Sequence, residues 1–125
     1  MNNKKKTVLV IDDEEPIRIL ISAALKRLAA DTDVILADSP LKAIKMAENK
    51  KPDLIISDLA MPEMDGIQVC TAIRLNPVTK DIPFILLTGS SKTDDIDRAY
   101  EAGISDYILK PINFDRFRLK ISKLI

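Results

Sequence analysis

The sequence predicts an open α/β fold: a (βα)5 domain built on a parallel sheet. Two observations lead there. Five short apolar runs recur along the chain, Val8 to Ile11, Val34 to Ala37, Leu54 to Ile56, Phe84 to Leu87 and Tyr107 to Leu109. Near-continuous apolar runs, without polar alternation, suit strands covered on both faces. Segments with helical spacing lie between and after these runs. A strand followed by a helix, repeated in this way, implies parallel strands joined by right-handed crossovers.

Each helix can be justified in turn. Ile17, Leu20, Ile21, Ala24 and Leu28 form the first apolar stripe. Leu41 and Ile44 start the second, with Ser39 as its N-cap and Pro40 as its first helical residue. Val69, Cys70 and Ile73 make the third. Ile96, Ala99 and Tyr100 make the fourth, closed by Gly103 as a C-terminal cap. Phe114, Phe117, Ile121 and Leu124 make the fifth, opened by Asn113. No repeat, linker or low-complexity stretch interrupts the pattern, so residues 1–125 read as one domain.

Composition narrows the function. Length suits a single core, and 46% hydrophobic with 30% charged residues fits a globular protein. Nineteen basic and nineteen acidic side chains cancel, which gives no reason to expect direct nucleic-acid or membrane binding. The basic start Met1-Asn2-Asn3-Lys4-Lys5-Lys6 leads into an apolar run too short for a secretory signal. The single cysteine cannot form an internal disulfide, so a reducing compartment, the cytoplasm, is the simpler expectation. Histidine is absent, which removes His-based acid–base catalysis, His metal ligation and phosphohistidine chemistry from this chain.

The ends of the apolar runs carry the chemistry. Asp12 and Asp13 follow the first run, and Asp58 ends the third just before Met61-Pro62-Glu63-Met64-Asp65-Gly66. Thr88 ends the fourth and Lys110 the fifth. Open α/β sheets bind ligands at the carboxyl ends of their strands. If the first and third strands are neighbours, three carboxylates converge and need a counter-ion or a protonated member. All-oxygen, carboxylate-rich ligation favours Mg²⁺ or Mn²⁺ over Zn²⁺. Glu14 and Glu15 read instead as acids attracted by a helix N-terminus. That reading does not account for Asp13 being matched by Asp58.

Thr88-Gly89-Ser90-Ser91 alone is weak evidence, because an ordinary loop or helix cap has the same residues. Lys110 is stronger. It follows a buried strand, and the Pro111 after it stiffens the backbone. A lysine there is a compact point charge suited to phosphate or to a carboxylate. The Lys110–Pro111 bond is open to the cis isomer, since X–Pro bonds lose most of the trans preference. Tyr107, read from the residues alone, is a core aromatic.

Together, Asp12-Asp13, Asp58 with Met61-Pro62 and Asp65-Gly66, Thr88 and Lys110-Pro111 resemble the receiver domain of two-component response regulators, of the chemotaxis-receiver type. The likeness covers the whole chain, with the signature positions in order. It implies a doubly wound, flavodoxin-like sheet in the order 2-1-3-4-5 with helices on both faces. It implies that Asp58 accepts a phosphoryl group from a histidine kinase or phosphotransfer protein. Asp13 and Asp58 would ligate Mg²⁺ directly, Asp12 would help through water, and the backbone carbonyl of Ala60 would complete the protein ligands. Lys110 would pair with Asp58 and then with the phosphoryl group. Thr88 would hydrogen-bond that group, and Tyr107 would turn inward as it does.

The output surface would be the fourth helix, fifth strand and fifth helix, read by a downstream protein or a covalently linked effector domain. Ala60 and Ser90, each two residues past a signature position, would tune how long the phosphoryl group survives. The expected behaviour is a self-phosphorylating switch with slow autodephosphorylation. Asp94, Asp95, Asp97 and Glu101 make the fourth helix acidic, whereas the segment from Lys110 onward is basic. Such a pair of helices could support a phosphorylation-dependent symmetric dimer, although solvated faces are the simpler reading of the charges, since exposed pairs contribute little. No effector domain is expected within these residues; the chain is either a stand-alone receiver or the amino-terminal piece of a longer regulator.

An enzyme is the alternative. Haloacid-dehalogenase-like phosphatases also use an aspartyl phosphate, Mg²⁺, a Thr or Ser and a Lys. Their nucleophile lies just after the first strand in a D-x-D pattern, and here that stretch is Asp12-Asp13-Glu14. A flavodoxin-like binder would need a hydroxyl- and glycine-rich phosphate loop at the same place, where this chain has acid.

Overall fold

In the computed structural model, which describes residues 5–89 and 92–125, each apolar run forms a strand. The order is β1 (Thr7–Ile11), α1 (Glu15–Leu28), β2 (Asp33–Ala37), α2 (Pro40–Lys50), β3 (Leu54–Asp58), α3 (Gly66–Leu75), β4 (Phe84–Thr88), α4 (Thr93–Ala102), β5 (Asp106–Leu109) and α5 (Phe114–Ser122). The strands form one parallel sheet in the order β2-β1-β3-β4-β5. The expected architecture is therefore the observed one. The strands run longer than their apolar runs, so Asp58 and Thr88 are their strands' last residues.

Strand alternation divides the interior into two cores. Val8, Val10, Leu54, Ile56, Ile85, Leu87 and Ile108 pack with Ile21 and Leu25 of α1 and with Phe117 and Ile121 of α5. Leu9, Ile11, Ile55, Phe84 and Leu86 pack with α2, α3 and α4 through Ala43, Ala47, Val69, Cys70, Ile73 and Ala99. The apolar runs lack polar alternation because both faces of the sheet are covered.

Local signals set the helix ends. Ser39 Oγ accepts from Lys42 N at 3.4 Å, and Asn113 Oδ1 accepts from Arg116 N at 3.1 Å. Such caps contribute about 1 kcal/mol each. Gly103 closes α4 with φ of 106°, a conformation that costs a side-chain-bearing residue. Asp65 and Gln68 form a reciprocal capping box at the start of α3.

Three residues of the expected apolar stripes, Leu20, Leu41 and Tyr100, turn outward. Leu20 is 51% exposed, whereas Leu25 is 1% exposed. Helix α1 meets the sheet along the Ile17-Ile21-Leu25-Leu28 line, which turns Leu20 to the flank beside Phe114 and Phe117. Leu41, which opens the second stripe, is 61% exposed because α2 meets the sheet through Ala43 and Ala47, and Tyr100, on the fourth, is 45% exposed.

Candidate functional site

The sheet order determines which strand ends meet. The chain turns from β1 outward to β2 and then returns to place β3 on the other side of β1. That reversal opens a crevice at the carboxyl ends of β1 and β3. Asp12 and Asp13 leave one of these strands, and Asp58 ends the other. Each of the three carboxylates offers an oxygen within 4.8 Å of the others. The sequence-level condition, that the first and third strands be neighbours, is met.

Their environments differ. Asp12 is fully buried and Asp58 nearly so, while Asp13 is exposed. Asp12 Oδ1 accepts the Glu14 amide at 2.8 Å. Asp12 Oδ2 is the one buried side-chain polar atom among the described residues without a hydrogen-bond partner. Burial, and after it the charge of Asp58, push the Asp12 carboxyl up to about 6. The Glu14 amide and Lys110 act in the opposite direction.

Lys110 supplies the cation. Its Nζ lies 2.8 Å from Asp58 Oδ1 and 4.0 Å from Asp12 Oδ2. Its backbone N–H donates to the Thr88 carbonyl at 2.9 Å, continuing the β4–β5 ladder past the strand end. The following Pro111 is joined by a cis peptide bond, the isomer that the sequence left open. Asp58, Ala60, Thr88, Gly89, Lys110 and Glu14 line one open cleft. All the predicted site residues except Asp12, Asp13 and Tyr107 therefore border that cleft, and the two aspartates join it through Asp58. Ser90 lies outside the described residues.

Tyr107 stands one strand over, beside Thr88. The β4–β5 register pairs Leu86 with Tyr107, and alternation puts Tyr107 on the α4 side of the sheet. Thr88 and Tyr107 line a common narrow cleft under α4.

Two contributors escaped the sequence. Arg18 Nη1 donates to the Asp12 carbonyl at 2.7 Å and so braces the β1–α1 turn. Nothing in the spacing of Arg18 signals this. Gly66 starts α3 where an added Cβ would sit 2.4 Å from the Asp58 carbonyl oxygen and 2.7 Å from Leu86 Cδ1. The signal was present as Asp65-Gly66, a helix cap followed by a residue that permits close approach.

The residues present fit a hard divalent cation. Three clustered carboxylates, one with a buried oxygen that accepts no hydrogen bond, are the donor set that Mg²⁺ accepts. No ligating nitrogen or thiolate competes, since histidine is absent and the only cysteine, Cys70, is buried elsewhere.

The chain is similar to known proteins in both sequence and fold. The family model described as "Response regulator receiver domain" matches residues 8–122. A histidine kinase of Formosa agariphila is 37% identical over 98% of this chain and 9% of its own length. The phosphate regulon transcriptional regulatory protein PhoB of Pseudomonas aeruginosa is 36% identical over 86% of this chain and 46% of its own length. The chain thus spans less than half the length of these curated relatives. The chemotaxis protein CheY4 of Vibrio cholerae superposes with a TM-score of 0.90 at 26% identity, covering 98% of this chain and all of that one. The receiver domain of the sensor histidine kinase PA1611 from Pseudomonas aeruginosa superposes with a TM-score of 0.86 at 25% identity, covering 97% of this chain and 98% of that one. That neighbour carries a magnesium ion coordinated in its active-site cleft. From the match across nearly its whole length, the chain belongs to the response regulator receiver domain family, the phosphorylatable switches of two-component signalling.

Proposed function

We propose that Asp58 is the phosphoacceptor of this switch. The observation that carries the assignment is the Lys110–Asp58 contact of 2.8 Å at the mouth of the cleft. Of the three clustered carboxylates, Asp58 alone combines a position at a strand end, a lysine in contact and a cleft open to a donor. Asp58 attacks phosphorus through a carboxylate oxygen, and the bond from phosphorus to the donor breaks as an acyl phosphate forms. Phosphoryl transfer needs mainly positioning and charge neutralisation. Asp12, Asp13, Asp58 and the Ala60 carbonyl would hold Mg²⁺, which when bound neutralises charge on the phosphoryl oxygens.

Lys110 follows the charge from the Asp58 carboxylate to the phosphoryl group. Thr88 donates its hydroxyl to that group, a charge-assisted hydrogen bond of about 1.5–3 kcal/mol. Tyr107 shares a cleft with Thr88 and turns inward as Thr88 moves. The product carries roughly −1.5 to −2 charge in place of the single charge of the carboxylate, spread over three phosphoryl oxygens at the end of a buried strand. Several such contacts approach the ~5.5 kcal/mol that swings a two-state equilibrium from 1:99 to 99:1. The changed surface is α4, β5 and α5, where a downstream protein, a linked effector domain or a second copy reads it.

The donor is a histidine kinase or a phosphotransfer protein, and the setting is the cytoplasm. No helix among the described residues is long and apolar enough to cross a membrane. The phosphoryl group leaves slowly by hydrolysis, without the repeated turnover of a phosphatase. Ala60 contributes to that rate because it places only a methyl group beside Asp58.

Incubation with a small phosphodonor and Mg²⁺ is expected to add one phosphoryl group per chain, seen by intact-mass spectrometry. Asp58→Asn is expected to abolish the addition. Undiminished labelling of Asp58→Asn would overturn the assignment.

A further inference from the structure

Tyr107 is held by groups that the phosphoryl chemistry does not use. Lys120, on α5, donates from Nζ to the Tyr107 carbonyl at 2.6 Å and to Asp106 Oδ1 at 3.0 Å. The same Nζ lies 4.7 Å from the centroid of the Tyr107 ring. Asp106 Oδ1 also accepts the Tyr107 amide at 2.8 Å. Tyr100 of α4 meets the ring edge-on, with centroids 6.3 Å apart and planes at 82°. The Tyr107 backbone is thus pinned at both its amide and its carbonyl. The ring is held separately, by a cation and by an aromatic edge.

On its other side the ring borders the narrow cleft formed by Leu86, Thr88, Ile96, Ala99 and Ile104. The ring thus lies between a cation and an apolar cleft. Beside Lys120 it gains the attraction of a cation for the negative face of an aromatic ring. Deeper in the cleft it would gain burial next to Thr88.

We propose that Lys120 is a positioning residue that clamps the Tyr107 ring on the α5 side and so sets the resting bias of the switch. The inference rests on the reading of Tyr107 as the moving part. Lys120 suits this role because its ammonium is already fixed by a carboxylate and a carbonyl. Its placement over the ring therefore costs little further ordering. An inward movement of the ring gives up the cation contact and leaves both backbone pins in place. The clamp therefore biases the side chain without resisting the strand. A single contact of this kind at a partly buried site corresponds to about a five-fold change in the balance between the two positions.

The chain has two tyrosines and no tryptophan, so Tyr100→Phe leaves Tyr107 as its sole tyrosine while keeping an aromatic edge against it. Uniform incorporation of fluorotyrosine into that parent gives one fluorine resonance, from Tyr107. The parent is compared with Lys120→Arg and Lys120→Met, metal-free and without donor, and then with a small phosphodonor and Mg²⁺. Lys120→Gln repeats the neutralisation with a polar side chain.

Without donor, both neutral variants are expected to move the resonance toward its phosphorylated position, with the balance shifted about five-fold. Lys120→Arg, which keeps the cation, is expected to hold the parent position. Coincidence of the neutral variants with the parent would overturn the proposal. So would an arginine variant that moves as far as they do, because the role would then be one of shape and not of charge. If the parent's resonance stays fixed although intact mass shows phosphorylation, the reading of Tyr107 as a switch fails. The donor-free shift still decides whether Lys120 clamps the ring.

Discussion

Replacing Asp12 with asparagine should stabilise this protein when metal is absent. Asp12 is fully buried, and its Oδ2 has no hydrogen-bond partner. Asp13 and Asp58 bring oxygens within 4.8 Å. At that separation two unit charges repel by roughly 3–4 kcal/mol at an effective dielectric of about 20. Lys110, at 4.0 Å from Asp12, offsets about one such repulsion but is closer to Asp58. Burial and then Asp58 thus raise the Asp12 carboxyl from its ordinary 3.8 to about 6.

The sign follows from proton binding. A carboxyl with a higher pKa in the folded state keeps its proton longer there than in the unfolded chain. Between about pH 4 and 6 the native state binds more protons, so stability falls as pH rises through that window. Above it the loss is complete, about 3 kcal/mol for this gap at roughly 1.4 kcal/mol per pKa unit. Asparagine keeps an oxygen for the Glu14 amide and removes the charge. Urea unfolding in the presence of a chelator, followed by circular dichroism, should show Asp12→Asn about 2–3 kcal/mol more stable than wild type near neutral pH. The two curves should converge toward pH 4. A less stable variant at neutral pH, or a difference independent of pH, would refute the reasoning. Added Mg²⁺ should stabilise wild type more than the variant, since binding to the native state alone raises stability.

Lys110→Ala removes the cation from an Asp58 pair in which the lysine side chain is 25% exposed. The expected loss is about 1–3 kcal/mol, less than the 3–5 of a fully buried pair; Mg²⁺ binding should persist while partner binding after phosphorylation disappears. An unchanged urea midpoint would argue against a contributing pair. Gly66→Ala forces a Cβ to 2.4 Å from the Asp58 carbonyl oxygen. The backbone shift needed should cost about 1–3 kcal/mol and slow labelling of Asp58, and wild-type labelling kinetics in a stable variant would contradict it. Cys70 is fully buried, and burial pushes its thiol up to about 11. A thiol reagent should therefore react only as the protein unfolds in urea, and rapid modification of the native protein would show the packing around Cys70 to be wrong.

The features legible in the chain were local ones. Ser39-Pro40, Gly103 and Asn113 act through hydrogen bonds and dihedral angles within a few residues, so their roles survive without tertiary context. The apolar runs are legible for a related reason: burial on both faces of a sheet removes the polar alternation that a half-exposed strand would show. The acids, hydroxyl and ammonium at the strand ends then stand out against those runs. Strand order came from resemblance to a family, because order depends on pairings between distant segments.

Only the fold decides what those strand ends do to one another. Pairing of β1 with β3 sets Asp12 against Asp58 across 46 positions of sequence, buries the first fully and leaves one of its oxygens without a hydrogen-bond partner. Geometry, not residue type, directs Lys110 to Asp58 at 2.8 Å and leaves Asp12 at 4.0 Å. Leu20 and Leu25 are equally apolar, and the angle at which α1 meets the sheet decides which is buried. The hold of Lys120 on Tyr107 and of Arg18 on Asp12 leaves no trace in spacing. Long side chains reach partners that depend on where whole elements pack, and that placement is a property of the assembled sheet and helices.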